Sequence, residues 1–431
     1  MAQFTEGVSK KSEGIVKETL FKGVLGFQHL IAMFGATVLV PLLTGLDPAV
    51  ALFTAGLGTL LFHLCTKRKV PVFLGSSFAF IPVIQAVADK YADLRYAQGG
   101  IMVVGLIYVL ASFVIKKIGV EKVRKVLPAQ IVGPMIMVIG LNLIPNSLND
   151  AGVNSLLAGE TGALTAVTIA AATLGTAILI RTFCKGILKQ ISILIAVAVG
   201  YALALLFNIV DVTSIGTASY FAIPAFTLPK FDLSAILIIA PVVLAVFMEH
   251  IGDITTNGQV VGKNFIEDPG LNRTLLGDGI ATLVAGCLGG PANTTYGENT
   301  GVLAITKNYD PSILRITAVF AILLSFVGKF RAVIVTMPKP VMGGISLMLF
   351  SMIAIVGVQT IKREKVKFNI ANILVMGTIL FIGLSGNFFS EAIGIKITNE
   401  VSLSGLSLAG IAGIVLNSIF LLINKKVKKT A

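Results

Sequence analysis

Residues 293–302 read NTTYGENTGV, inside a chain of 431 residues that is 55% hydrophobic and only 13% charged. Polar side chains, two glycines and the carboxylate Glu298 interrupt a segment whose flanks are apolar. A carboxylate near the bilayer centre costs about 2.5–3.5 kcal/mol even on the permissive insertion scale. Close helix packing explains many glycines in membrane spans, but it does not explain Glu298. The interruption points to a built site.

A mean hydropathy of +0.92 and repeated apolar runs of about 20 residues, the length of a bilayer crossing, indicate a polytopic membrane protein. The stretch 1–23, MAQFTEGVSKKSEGIVKETLFKG, mixes acids with lysines and has no short apolar region ending in a cleavage site. It reads as a cytoplasmic tail. The net charge of +13 sits in loops between spans, so it marks the cytoplasmic face and not a nucleic-acid partner. Cys65, Cys184 and Cys287 are far apart and form no CxxC, which argues against a disulfide framework or a metal site. No GxxxxGK[ST] loop is present, so the chain has no ATP motor, and no cofactor is expected.

Spans are expected to start near residues 24, 48, 71, 97, 127, 163, 187, 233, 272, 291, 312, 334, 369 and 404, which makes fourteen. With both termini inside, the basic clusters fall on one face: Lys67–Lys69, Lys116-Lys117 with Lys122, Arg124 and Lys125, Arg181 with Lys185, Lys263, Lys307, Lys362-Arg363 with Lys365, and Lys425–Lys429. Opposite loops such as 147–162 lack lysine and arginine, and the discordant one is GKFRA, with Lys329 and Arg331. A shift of 221 carries Gln28-His29 onto Glu249-His250, Asp47-Pro48 onto Asp268-Pro269, Gly56 and Gly58 onto Gly277 and Gly279, and Gly75–Phe78 onto Tyr296–Asn299. Matches at one offset, in order, indicate duplication. Seven spans per copy is an odd number, so the copies, 24–211 and 233–424, enter from opposite faces as an inverted repeat. The substrate site then belongs at the repeat interface, where paired helices break.

Span 3, VPVFLGSSFAFIP (70–82), and span 10, PANTTYGENTGVLAITK (291–307), both carry glycine beside hydroxyl residues after a leading proline. Each is expected to run extended for a few residues before a half-helix. Extended backbone at membrane depth must be buried in protein or line a cavity, and its free N–H groups then serve a polar solute. Phe78, directly after Gly75-Ser76-Ser77, is the candidate ring-stacking platform. Span 8, LSAILIIAPVVLAVFMEHIGDITT (233–256), places Glu249 and Asp253 four apart on one face, with Gly252 between. Like charge and desolvation disfavour ionising both, so the pair is expected to hold one exchangeable proton, with Asp253 as relay. His250 and His29 suit buried hydrogen bonds as well as function, and Asp278 is expected near the inner interface in a structural role.

Glu298-Asn299-x-Gly301-x-x-x-x-Thr306-Lys307 resembles the signature of the nucleobase–ascorbate transporter family: Gln, Glu or Pro, then Asn-x-Gly, four residues, Thr, and a basic residue or Gly. QHLIAMFGATVLVP (28–41), FLGSSFAF (73–80) and NTTYGEN (293–299) are similar to its bacterial uracil-permease branch, over about residues 24–424. The resemblance implies an all-α membrane protein of fourteen spans in two inverted seven-span repeats, with short strands in spans 3 and 10. It implies a core domain (24–118 plus 233–331) and a gate domain (127–211 plus 334–424). It assigns Glu249 and Glu298 to hydrogen bonding the base, Tyr296, Gly297 and Ser77 to the wall of the site, and Phe78 to packing on the ring. Uracil and a proton are the implied cargo, and Glu249, Asp253 and Glu298 are the candidates for handling the proton. A homodimer in the cytoplasmic membrane is the implied assembly.

Uracil is a flat neutral ring with two N–H donors and two carbonyl acceptors, which carboxylates, backbone amides and an aromatic face match. The branch often carries histidine one turn after the span-8 glutamate, where this chain has Asp253. Glu…Asp at that spacing resembles the xanthine and urate branch, whereas Tyr296-Gly297-Glu298 is uracil-like. An inorganic-anion carrier on the same plan would want a cationic or uncharged site. A potassium filter needs repeated pore loops, and only one TTYG is present. An intramembrane enzyme would need a catalytic set such as HExxH, which the sequence lacks.

Overall fold

The computed structural model describes residues 2–119, 128–389, 393–396 and 402–430. The basic residues Lys122, Arg124 and Lys125 and the expected start of span 5 near 127 lie outside them. The long helices of the first half are α1 (Ala2–Thr44), α2 (Pro48–Cys65), α3 (Ile81–Tyr91), α4 (Arg95–Ile118), α5 (Ala129–Asp150), α6 (Ala163–Phe183) and α7 (Ser192–Leu206). Those of the second half are α8 (Leu233–Ile239), α9 (Val243–Val261), α10 (Leu271–Leu288), α11 (Gly297–Thr306), α12 (Pro311–Ser325), α13 (Lys339–Arg363), α14 (Ile370–Phe388) and α15 (Gly405–Thr430). The strands are β1 (Leu74–Ser76), β2 (Asn293–Thr295), and a hairpin of β3 (Gly394–Lys396) and β4 (Ser402–Ser404). Among the described residues, 9 helices are long and apolar enough to cross a membrane, counting α8 and α9 as the single run Leu233–Val261. Two shorter apolar helices are α7 and α12.

Local chemistry sets where these helices begin. Asp47 accepts from the Ala49 amide at 2.8 Å and Asp310 from the Ser312 amide at 2.8 Å, each just before a proline that needs no partner for its own nitrogen. Asp232 caps α8 through the amides of Ser234 and Ala235, and Asn369 caps α14. The expected 1–23 tail is helical from Ala2 onward, because α1 runs unbroken from there. No proline precedes Pro41 in that stretch to stop the helix.

Packing divides the helices into two sets. In one, α2 packs on α10 and α12, α4 on α10 and α8, and α1 on α12. In the other, α13 packs on α5 and α6, α6 on α7, and α14 on α5 and α15. Small residues allow the closest crossings: a Cβ at Gly140 would stand 2.6 Å from the Ala354 amide nitrogen, so α5 and α13 touch backbone to backbone. The discordant GKFRA cations are consumed structurally. Lys329 Nζ donates to the carbonyls of Ile215 (2.7 Å) and Gly216 (2.6 Å), and Arg331 pairs with Asp47 at 2.6 Å. On the same face Asp93 is held by Arg95 and Lys230, at 2.8 and 3.1 Å.

Candidate functional site

The two interrupted segments meet each other. β1 and β2 run antiparallel, with Leu74 opposite Thr295, Gly75 opposite Thr294 and Ser76 opposite Asn293, and all six residues are buried. Backbone polar groups that leave a helix at this depth thereby find partners. The Ser77 amide donates to Ala292 O at 2.9 Å, and the Tyr296 amide donates to Phe73 O at 3.0 Å. Only glycine fits at position 75, because a Cβ there would lie 2.3 Å from Tyr296 Cζ. The Tyr296 hydroxyl donates to Ser76 O at 2.9 Å and lies 3.4 Å from Thr37 Oγ1. Tyr296 therefore braces the strand pair, and its own amide is not free for a ligand.

This pairing refines the duplication. Gly75 and Thr294 face each other at the centre, and 294 − 75 = 219. The same difference relates Ser77 to Tyr296, both extended and both immediately before a helical turn. Helices α2 and α10, each 18 residues long, are related instead by 271 − 48 = 223. The paired residues Leu74 and Thr295 differ by 221, so the uniform shift read along the sequence lies within the range these elements show.

After Tyr296, α11 begins with no side-chain cap. The first amides of a helix lack intrahelical partners, so that of Gly297 is available as a donor, while the Glu298 amide serves its own carboxylate. Gly297 is exposed, and a Cβ on it would meet nothing within 4 Å. Glu298 is half-buried beside it. Asn299 turns inward, its Nδ2 lying 3.2 Å from His29 O and 3.1 Å from His29 Nδ1, which ties α11 to α1. His29 is a core hydrogen-bonding residue.

On α9, Glu249 and Asp253 line a cavity of about 830 Å³ together with Ile136 of α5 and Gln359 and Arg363 of α13. The cavity reaches the helix ends at Ala129, Gln259 and Lys367, the side that carries the basic clusters. Asp253 accepts a hydrogen bond from Thr295 Oγ1 at 3.0 Å, which fastens α9 to β2. Glu249 is within electrostatic reach of Asp253 and Glu298. Among the described residues, Glu249 and Glu298 accept no hydrogen bond from another side chain, so their oxygens remain open to a solute. Phe78 is half-buried at the seam of the two helix sets, touching both the cluster of Met33, Leu314 and Tyr296 and that of Ile193, Ile345 and Leu349. Ser77 Oγ is buried with no partner.

Behind Glu249, His250 points away from the cavity. Its Nε2 lies 2.9 Å from Thr274 Oγ1 and its Nδ1 2.7 Å from Asp278 Oδ2. Asp278 is fully buried there against His250. Sequence reasoning did not find Thr295 as the partner of Asp253, although period-2 alternation through NTTYG was available. Nor did it single out Arg363, which reads along the chain as one more cytoplasmic cation.

Glu249 and Asp253 thus share the cavity, whereas Ser77, Phe78, Tyr296, Gly297 and Glu298 do not line it and sit at the strand break, which Thr295 ties to α9. Residues 22–392 match the family model described as Permease family. A probable uracil permease of Pasteurella multocida (strain Pm70) is 43% identical over 397 residues, covering 92% of each chain. The uracil permease of Escherichia coli (strain K12) is 42% identical, over 93% of this chain and 91% of its own. In fold, the transmembrane domain of a cyanobacterium bicarbonate transporter, BicA, is similar over 92% of this chain and 97% of its own, with a TM-score of 0.60 at 16% identity.

Proposed function

Since this chain belongs to the permease family, a family of transporters and not of enzymes, we propose that it imports uracil together with a proton across the cytoplasmic membrane. The observation that carries the reading is the meeting of open carboxylates on α9 and α11 with the uncapped start of α11, at a break in a multi-pass membrane protein. In this reading Glu249 and Glu298 accept from the ring N–H groups, and the Gly297 amide donates to a ring carbonyl. Phe78 covers one face, Ser77 completes the wall, and Tyr296 holds the wall in place. A site of this kind rejects rings lacking the matching polar edge, because its own groups would be left unpaired. The names of the relatives favour uracil over xanthine or urate.

Thr295 steadies Asp253, which hands a proton on as Glu249 changes partners. The fourteen spans form two inverted repeats with both termini cytoplasmic. The first helix set acts as core and the second as gate, and the carrier works as a homodimer. Substitution tests the assignment: Glu249→Gln and Glu298→Gln each weaken uracil binding by more than about tenfold, the equivalent of roughly 1.5–3 kcal/mol for a hydrogen bond to a charged group. Wild-type affinity in either folded variant would place the site elsewhere.

A further inference from the structure

Arg363 ends α13, in the helix set opposite the one that holds α9 to the strands. Its guanidinium packs against bare backbone: a Cβ at Gly252 would lie 3.3 Å from Arg363 Nη2. Gly252 is three residues beyond Glu249 on the same face of α9, where neighbouring Cβ positions are about 5–6 Å apart. Arg363, Glu249 and Gly252 line one cavity, at its cytoplasmic mouth. Arg363 is 55% exposed, and its one ion-pair contact among the described residues is the long 4.0 Å approach to Glu364. The charge therefore has no short ion pair among the described residues and shares the cavity with the carboxylate proposed to hold the substrate.

We infer that Arg363 is a release residue: at the inward-open stage its guanidinium competes with the substrate for Glu249. A guanidinium offers parallel N–H donors to a carboxylate, the same chemistry as the ring N–H of the base but with a full charge. Asp253, held by Thr295, and Glu298 stay with the core, while Glu364 and Lys367 flank Arg363 on the gate side. Gly252 matters because any side chain there would stand between guanidinium and helix. The inference rests on the proposed role of Glu249.

The test reads uracil binding to the purified protein beside exchange and net uptake in proteoliposomes loaded or unloaded with uracil. Both transport modes need the base to leave inside, so slower release lowers both, and loss of a competitor for Glu249 tightens binding at the same time. Arg363→Gln should bind uracil at least threefold more tightly while exchange and net uptake each fall at least threefold. Arg363→Lys should recover part of the loss, and Lys367→Gln, which removes another cation of the same cavity, should show no such tightening. Unchanged or weaker binding in Arg363→Gln, or the same tightening in Lys367→Gln, overturns the inference. If wild type shows neither activity with uracil, the functional reading itself fails, which is a distinct result.

Discussion

Gly75→Ala tests the strand crossing on which the site is hung. The added methyl would stand 2.3 Å from Cζ and 2.4 Å from Cε2 of Tyr296, about 1 Å short of ordinary contact. Neither partner can yield freely. Gly75 is in the buried pair with Thr294, and the Tyr296 hydroxyl is bonded to Ser76 O at 2.9 Å. Overpacking a tight interior costs about 1–3 kcal/mol, and an orphaned buried hydroxyl about 1–3 more. The expected loss is roughly 2–6 kcal/mol, accompanied by weaker uracil binding, because α11 starts at the residue after Tyr296. Thermal unfolding of the purified protein, with and without uracil, reads both effects. A double variant adds a control. Tyr296→Ala leaves a cavity costing about 3–5 kcal/mol by itself, but it gives the methyl added at position 75 room, so Gly75→Ala/Tyr296→Ala should be no less stable than Tyr296→Ala. A single Gly75→Ala variant with wild-type melting and affinity, or full additivity in the double variant, would refute the reasoning.

Asp253→Asn keeps an oxygen for the Thr295 hydroxyl, so it should spare most uracil binding yet weaken accumulation driven by a proton gradient; binding and uptake on one preparation check this. Thr295→Val should loosen Asp253 and alter the pH profile of uptake more than its maximum rate. Outside the membrane, the Arg95 guanidinium beside Asp93 holds that carboxyl well below the usual carboxylate range, with Lys230 assisting. A depressed carboxylate contributes stability above its unfolded value, about 3.9, and loses it only as pH falls through the lower folded one. Amide exchange of residues 226–231 should therefore be unaffected by this group between about pH 5 and 7, and Asp93→Asn should accelerate it at neutral pH.

Much of this was legible along the chain. Glycine, proline and hydroxyl residues around 73–80 and 291–299 marked the two breaks, because nothing else in a membrane span needs that chemistry. The i, i+4 spacing of Glu249 and Asp253 placed both on one helix face, and both line the cavity. What stayed hidden depends on distance across the fold. The pairing of β1 with β2, Leu74 opposite Thr295, joins residues 221 apart and forms only when the two halves pack. The buried partnership of His250 with Asp278 joins residues 28 apart whose side chains meet only when α9 and α10 pack. Arg363 carried no signal that set it apart from the other cations read as cytoplasmic, because its contact with Gly252 forms only when α9 and α13 meet.

The central claim is most directly tested by uptake of radiolabelled uracil in cells that lack their own permease and express this chain. Unlabelled uracil, xanthine, thymine and cytosine serve as competitors, and a protonophore is added in a parallel arm. The account predicts saturable uracil uptake that cold uracil abolishes, xanthine leaves intact and the protonophore collapses. Uptake that xanthine displaces better than uracil, or the absence of saturable uracil uptake by a membrane-inserted protein, would contradict it.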